Sequence, residues 1–482
     1  MSGDVNDVHY VCLSDLHLGE PDSILTPLES RGHKVDPSRV GPVLEQLVAC
    51  LEHVVERNRG DRRPVLILNG DALELAFGTF SQALTNFQRL AGLLLERELF
   101  ETLVYIPGNH DHHIWEVARE TQYGDTLGDR RSHDGGLPPL RHVTSLSLEQ
   151  GVPAFLLNKI IEQVHPQHRS DGREHQVRVV YPNLALLDEA GDRCVLFHHG
   201  HYVEPLYHFF SKLRRWLFPD RPQPQSIDEI EEENFAWIEF VWSLLGRSGG
   251  AGADMRLLYR MFRTPDEYEA FVDALAGRSA AVVDLPWIPG DKLERLALRK
   301  LFTWVGPRLA GERSRRRVVE SPELRSGIEA YLFGPVQRQL RDELGYVPDD
   351  LTFVFGHTHK PFEDVLDGSS GGGRVDVFNT GGWPIDSIEP SDAMGASILF
   401  LNERLDVACL RVFNDGAEGG EVTLDLRRPA GTADDGGFCE SVGSRVRDLA
   451  SAGVLAEPWL ELEARIREAI VRRRRELEEE PR

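Results

Sequence analysis

The sequence predicts an α/β protein of layered sheets and helices with a large α-helical insertion. Three observations carry this. Short apolar runs alternate with amphipathic stretches in the order β-α-β-α-β, the pattern of a layered α/β sheet. Five apolar runs each lead within three residues into His, Asp or Asn, and open α/β sheets place their ligands at the carboxyl ends of their strands. Between about Leu206 and Val347, strand-like alternation gives way to a series of helix-like segments.

The first run, His9-Tyr10-Val11-Cys12, leads into Leu13-Ser14-Asp15-Leu16-His17. Val43, Leu44, Leu47, Val48, Leu51, Val54 and Val55 then recur at helical spacing and predict a helix packed on the sheet. Val65 to Leu68 ends in Asn69-Gly70-Asp71, and an amphipathic stretch carrying Phe87, Leu90, Leu93, Leu94 and Leu95 follows. Leu103 to Ile106 runs through Pro107 into Gly108-Asn109-His110-Asp111, which reads as a buried strand ending in a tight loop. Gly124 to Pro139, rich in Gly, Asp, Arg and Pro, is expected to be a surface loop near the site entrance. Strands resume at Val177 to Val180 and at Cys194 to Phe197, the latter ending in His198-His199-Gly200-His201.

The helix-like segments of the insertion are Phe235 to Leu245, Met255 to Phe262, Glu267 to Leu275, Leu293 to Val305 and Leu324 to Leu340. Within it, His208 to Phe218 mixes aromatic and apolar side chains with Lys212, Arg214 and Arg215. The favoured reading is a helix packed by its apolar face on the rest of the protein, with solvated bases opposite. The alternative is an interfacial helix, or a lid over an acyl or phosphate substrate. After the insertion, Leu351 to Phe355 ends in Gly356-His357-Thr358-His359, and Val375 to Phe378, Ser397 to Leu401 and Val407 to Phe413 read as strands. From Asn414 the chain is Gly- and acid-rich, and it closes with a charged helix, Leu460 to Glu480, whose Arg472 to Arg475 run is expected to be a solvated face. This organisation divides the chain into a split α/β domain that carries the motif loops (1–205 and 350–415), the insertion (206–349), and an acidic linker with its charged helix (416–482).

At 482 residues the chain exceeds the usual single domain. Its 54 Lys and Arg against 78 Asp and Glu leave a net charge of −24, which repels polyanions and argues against nucleic acid as a partner. Five scattered cysteines form no CxxC pair. No basic, apolar leader opens the sequence and no apolar run is long enough to span a bilayer, so a cytoplasmic protein is expected.

Asp-x-His, Gly-Asp, Gly-Asn-His-Asp, His-Gly-His and Gly-His-x-His occur in that order between Asp15 and His359. The series resembles the calcineurin-like metallophosphoesterases, whose fold is a β-sandwich flanked by helices. The resemblance implies two divalent metal ions: Asp15, His17 and His359 on one, Asn109, His199 and His357 on the other, and Asp71 bridging them. It implies a bridging hydroxide attacking phosphorus in line, in a hydrolase of phosphate mono- or diesters. His110, left without a metal, suits a proton donor to the leaving oxygen, with Asp111 orienting it. The two-residue spacing in Asp15-Leu16-His17 and His357-Thr358-His359 puts paired ligands on one side of an extended segment. A mixed nitrogen and oxygen shell suits Mn, Fe, Zn or Co. His112, His113, His198 and His201 are expected mainly behind the ligands or at the surface, and Glu74, Lys360 and Asn379 as pocket lining. Ser14 to Gly19 and the aromatic insertion also resemble bacterial UDP-diacylglucosamine pyrophosphohydrolases, which are shorter and carry Arg where this chain has His110. The expected substrate is a phosphorylated small molecule or lipid, with peripheral membrane contact as one option. A non-catalytic scaffold on the same fold is the remaining alternative.

Overall fold

A computed structural model describes residues 5–30, 32–129, 137–164, 176–244, 322–367, 373–385, 387–416, 424–429, 437–447 and 455–479. The chain is a mixed α/β protein with two mixed sheets. In the larger sheet, β1 (Tyr10–Leu13), β2 (Val65–Asn69), β3 (Thr102–Ile106) and β5 (Val177–Val179) run parallel. β4 (Val152–Pro153) closes one edge of it. β11 (Ser391–Leu401), β12 (Val407–Asp415) and β13 (Asp425–Arg427) extend it antiparallel beyond β1. In the smaller sheet, β7 (Arg193–His198), β8 (Asp350–Phe355) and β10 (Arg374–Asn379) are parallel. It is flanked by β6 (Asn183–Leu187) and β9 (Phe362–Asp367).

The sheets stack through one face each. Cys12, Ile67 and Val104 of the larger sheet share a buried cluster with Val195, Phe197, Val354 and Phe378 of the smaller. Because helices cover the opposite faces, the central strands are buried on both sides, which is why β2 reads as an unbroken apolar run. On the larger sheet lie α1 (Pro42–Val55), α2 (Phe80–Glu96), α3 (His113–Asp129) and α4 (Phe155–Val164). On the smaller lie α6 (Ile227–Ile238), continuing as a π turn (Glu239–Leu244), and α7 (Pro322–Tyr331) with α8 (Gln337–Leu344), while α5 (Phe209–Leu217) packs against α6. All the parallel strands leave their carboxyl ends at one edge of this sandwich, and the motif loops meet there.

Four expectations need correction or completion. Gly124 to Asp129 is the last turn and a half of α3, so the surface loop expected from Gly124 is helical over that part. β6 and β9 are strands that the sequence reading did not mark. The helices expected at 255–262, 267–275 and 293–305 lie outside the described residues. The arginine run near the C-terminus is not a uniformly solvated face. After α9 (Phe438–Val446), α10 (Glu457–Glu479) packs on α1, burying Trp459, Leu462, Ile466 and Ile470. Arg473 continues that stripe, is buried, and donates to the carbonyls of Ser23 and Thr26, while Arg474 pairs with Asp415. Lys and Arg stems readily cover apolar surface, so a charged run on an amphipathic helix can be part of a core.

α5 agrees with the packed-helix reading only at its start. Phe209 sits against Trp237 of α6 at 4.6 Å between centroids, but Trp216, Leu217 and Phe218 are exposed. Among the described residues no helix is long and apolar enough to cross a membrane.

Candidate metal centre

The loops after β1, β2, β3, β7 and β8 bring Asp15, His17, Asp71, Asn109, His199, His357 and His359 together, all buried. Their backbone is unusual. Of eight non-glycine residues with positive φ among the described residues, five are Asp15, His17, Asp71, His357 and His359. Left-handed backbone at non-glycine residues is costly and persists where the surroundings over-determine it, commonly at functional sites. The turn glycines are required by close approach: a Cβ on Gly108 would overlap the Asp71 carboxylate, and one on Gly356 that of Asp15.

The donor atoms fall into two overlapping groups. In the first, His359 Nε2 lies 3.1 Å from His17 Nε2 and 3.5 Å from Asp15 Oδ1. In the second, His199 Nε2 lies 3.0 Å from Asn109 Oδ1 and 3.2 Å from His357 Nδ1. Asp71 Oδ2 stands between them, 3.1 Å from His199 Nε2 and 3.8 Å from His17 Nε2. The Asp15–His17–His359 and Asp71–His199–His357 sets each converge closely enough to hold one ion.

Two details fit cations here. Asp15 Oδ2 is buried without a hydrogen-bond partner, a costly state for a carboxylate oxygen unless something charged meets it. His17 Nδ1 is 2.8 Å from Glu74 Oε2, and a His17 that donates there turns the lone pair of Nε2 toward the ring nitrogen of His359. Imidazole nitrogen with carboxylate and amide oxygen is a borderline donor set suited to first-row transition metals.

Within the cluster, the carboxylates and imidazoles stabilise one another's charged forms. Burial would raise Asp71, but His199 and His110 hold it well below the usual carboxylate range. Burial would lower His199, yet Asp71 lifts it to about 9. His17 likewise rises to about 9 against burial, through Glu74 and Glu20.

His110 sits at the edge of this cluster, and here the structure corrects an expected pairing. Asp111 does not reach His110. Its carboxylate accepts from Tyr105 Oη at 2.5 Å, Gly108 N at 2.6 Å and Leu73 N at 3.1 Å, so it braces the loop between β3 and α3. Burial and the nearby Asp71 raise it to about 6. The group that orients His110 is Glu74, whose Oε2 is 2.9 Å from His110 Nδ1. Burial lowers the His110 pKa, but Glu74 and Asp71 outweigh it and bring it to about 8. No described group hydrogen-bonds Nε2. Glu74 thus serves both His17 and His110, a role the sequence reading reduced to pocket lining. Its place three residues after Asp71, in Gly70-Asp71-Ala72-Leu73-Glu74, was the available signal.

The other histidines have structural partners. His198 accepts from Gly200 N through Nδ1 at 2.8 Å, and His201 lies 3.4 Å from Tyr181 Oη. Asn379 donates to Gly356 O and Thr358 Oγ1, bracing the turn that carries His357 and His359, and Lys360, which follows His359, is buried. His113 pairs with Glu116 and Glu239. His112 is fully buried between Glu231 Oε1 at 2.9 Å and Glu239 Oε2 at 3.0 Å, with Tyr181 and Phe235 against its ring.

Burial lowers the His112 pKa, but the two glutamates outweigh it and raise it to about 9 from an ordinary 6.5. A raised folded-state value means stability that is full below pH 6.5 and lost as pH rises through 9, roughly 3 kcal/mol for this difference. Urea unfolding of wild type and His112→Gln should therefore differ most near pH 6 and converge toward pH 9.5. A difference that stays constant over that range would refute the ion pair's contribution.

Compared with protein-family models and with curated proteins, the chain matches none.

Proposed function

We propose that the chain is a metal-dependent hydrolase of phosphate esters on a calcineurin-like metallophosphoesterase fold. The observation that carries this reading is Asp71 Oδ2, held between two histidine clusters that each contain a further oxygen donor. Asp15, His17 and His359 would hold one divalent ion and Asn109, His199 and His357 the other, with Asp71 shared; Mn, Fe, Zn and Co all suit the donors. Such ions, when bound, neutralise charge on phosphoryl oxygens and acidify water.

The chain's own residues supply the rest. Glu74 fixes the His110 ring through Nδ1, so Nε2 carries the proton that the leaving oxygen takes up. Glu74 also fixes His17, so one buried carboxylate sets the orientation of a ligand and of the acid. Gly108 N and Leu73 N hold Asp111, keeping the loop that carries Asn109 and His110 in register.

The exposed Trp216, Leu217 and Phe218 next to Arg215 favour a second reading, in which the ester is presented at a lipid surface. The test for both is turnover of bis-p-nitrophenyl phosphate and p-nitrophenyl phosphate by metal-free protein titrated with Mn²⁺, with and without anionic vesicles. Metal-dependent turnover is expected, and the diester-to-monoester ratio identifies the ester class. Two bound metals with no turnover of either ester, vesicles present or absent, would rule out the hydrolase.

A further inference from the structure

The segment from α6 through its π turn contacts the loop after β3 almost residue by residue. Ser243 Oγ donates to Asn109 O at 3.2 Å. The Trp242 ring lies 5.5 Å from that of His110, inclined at 33°. Glu231 and Glu239 flank His112, and Glu239 also reaches His113 Nδ1 at 3.3 Å. Four side chains of the insertion thus engage residues 109, 110, 112 and 113, about 130 residues away in sequence.

Packing alone is a poor account of this arrangement. Burying two carboxylates is costly unless each is paired, and Glu231 and Glu239 are paired with His112, which ties the insertion to this loop at one register. The π turn at Glu239–Leu244 carries Trp242 and Ser243, and π turns concentrate at functional sites. His110 is enclosed by Glu74 at Nδ1, by the edge-on rings of His17 at 4.9 Å and Phe77 at 5.2 Å, and by Trp242. Among the described residues, Trp242 is the wall of that enclosure that the insertion supplies. Tyr207, also from the insertion, stacks on Trp242 at 5.9 Å and meets His357 edge-on at 5.3 Å, so the same element spans the centre.

We propose that the insertion positions the proton donor: Trp242 and Ser243 are positioning residues that hold the Asn109–His110 turn so that His110 Nε2 faces the leaving oxygen. This rests on the hydrolase reading. Proton donation matters most when the leaving group is basic, so misplacing His110 penalises a phenyl ester more than a p-nitrophenyl ester of the same shape. A displacement of about 1 Å can cost on the order of 100-fold in rate.

The experiment compares p-nitrophenyl and unsubstituted phenyl esters, of whichever ester class wild type turns over, in wild type, Trp242→Leu, Trp242→Phe and Ser243→Ala, with bound metal per chain measured for each. In Trp242→Leu, kcat for the phenyl ester should fall about tenfold further than kcat for the p-nitrophenyl ester, with metal content unchanged. Trp242→Phe should restore most of the difference. Ser243→Ala, which removes a single hydroxyl, should shift the ratio in the same direction by a smaller factor, and it decides the matter if Trp242→Leu does not fold. Equal losses on the two esters, or no loss on either, would overturn the proposal. A wild type silent on both would instead remove the hydrolase reading, and this inference with it.

Discussion

Asp71→Asn should abolish paired metal binding and lower turnover by about 1000-fold or more, since charge stabilisation at a two-metal site is worth several kcal/mol. Asp71 Oδ2 is within 3.1 Å of His199 Nε2 and 3.8 Å of His17 Nε2. Asp71 Oδ1 also accepts from His110 N at 2.8 Å, tying Asp71 to the loop that carries His110. An amide keeps the shape but loses the charge that neutralises two cations, so one ion at most should remain. Metal content after dialysis, measured beside kcat, reads both effects. A variant that retains two ions and turns over normally would remove Asp71 from the centre.

His110→Ala should leave both metals bound and reduce turnover by about 100- to 10,000-fold, the usual range for a positioned proton donor. The loss should be larger for phenyl than for p-nitrophenyl esters. A pH profile supplies the sign. With its pKa raised to about 8, His110 is protonated below that pH and loses its proton above it. Turnover of the phenyl ester should therefore fall as pH rises through about 8 in wild type, and that limb should vanish in His110→Ala. If the limb persists in the variant, another group donates the proton.

The ligand loops were legible because their information is local. Each follows an apolar strand, but the extended segment expected at Asp15-Leu16-His17 and His357-Thr358-His359 is not what pairs their side chains: Asp15, His17, His357 and His359 all have left-handed backbone, in turns beyond the ends of β1 and β8. The pairing of His110 was misread for the same reason. Asp111 is its neighbour in sequence, but in a tight turn neighbouring side chains diverge, and the carboxylate that arrives belongs to the preceding motif loop, at Glu74. Arg473 was readable in principle, since Trp459, Leu462, Ile466, Ile470 and Arg473 share one helical stripe. Its position inside a run of four arginines hid it.

By itself, the sequence determined the layered α/β class and the order of the strands that carry the site, which depend on periodicity; the seven candidate donors came from the order of the motifs and the family resemblance it carries. Tertiary structure alone decided that Glu74 serves two histidines, that α10 is part of the core, and that Trp242, Ser243, Glu231 and Glu239 border the candidate site. Those contacts join residues about 35 to 450 positions apart, and no local period encodes which of many polar or aromatic side chains will meet once two sheets and their covering helices pack.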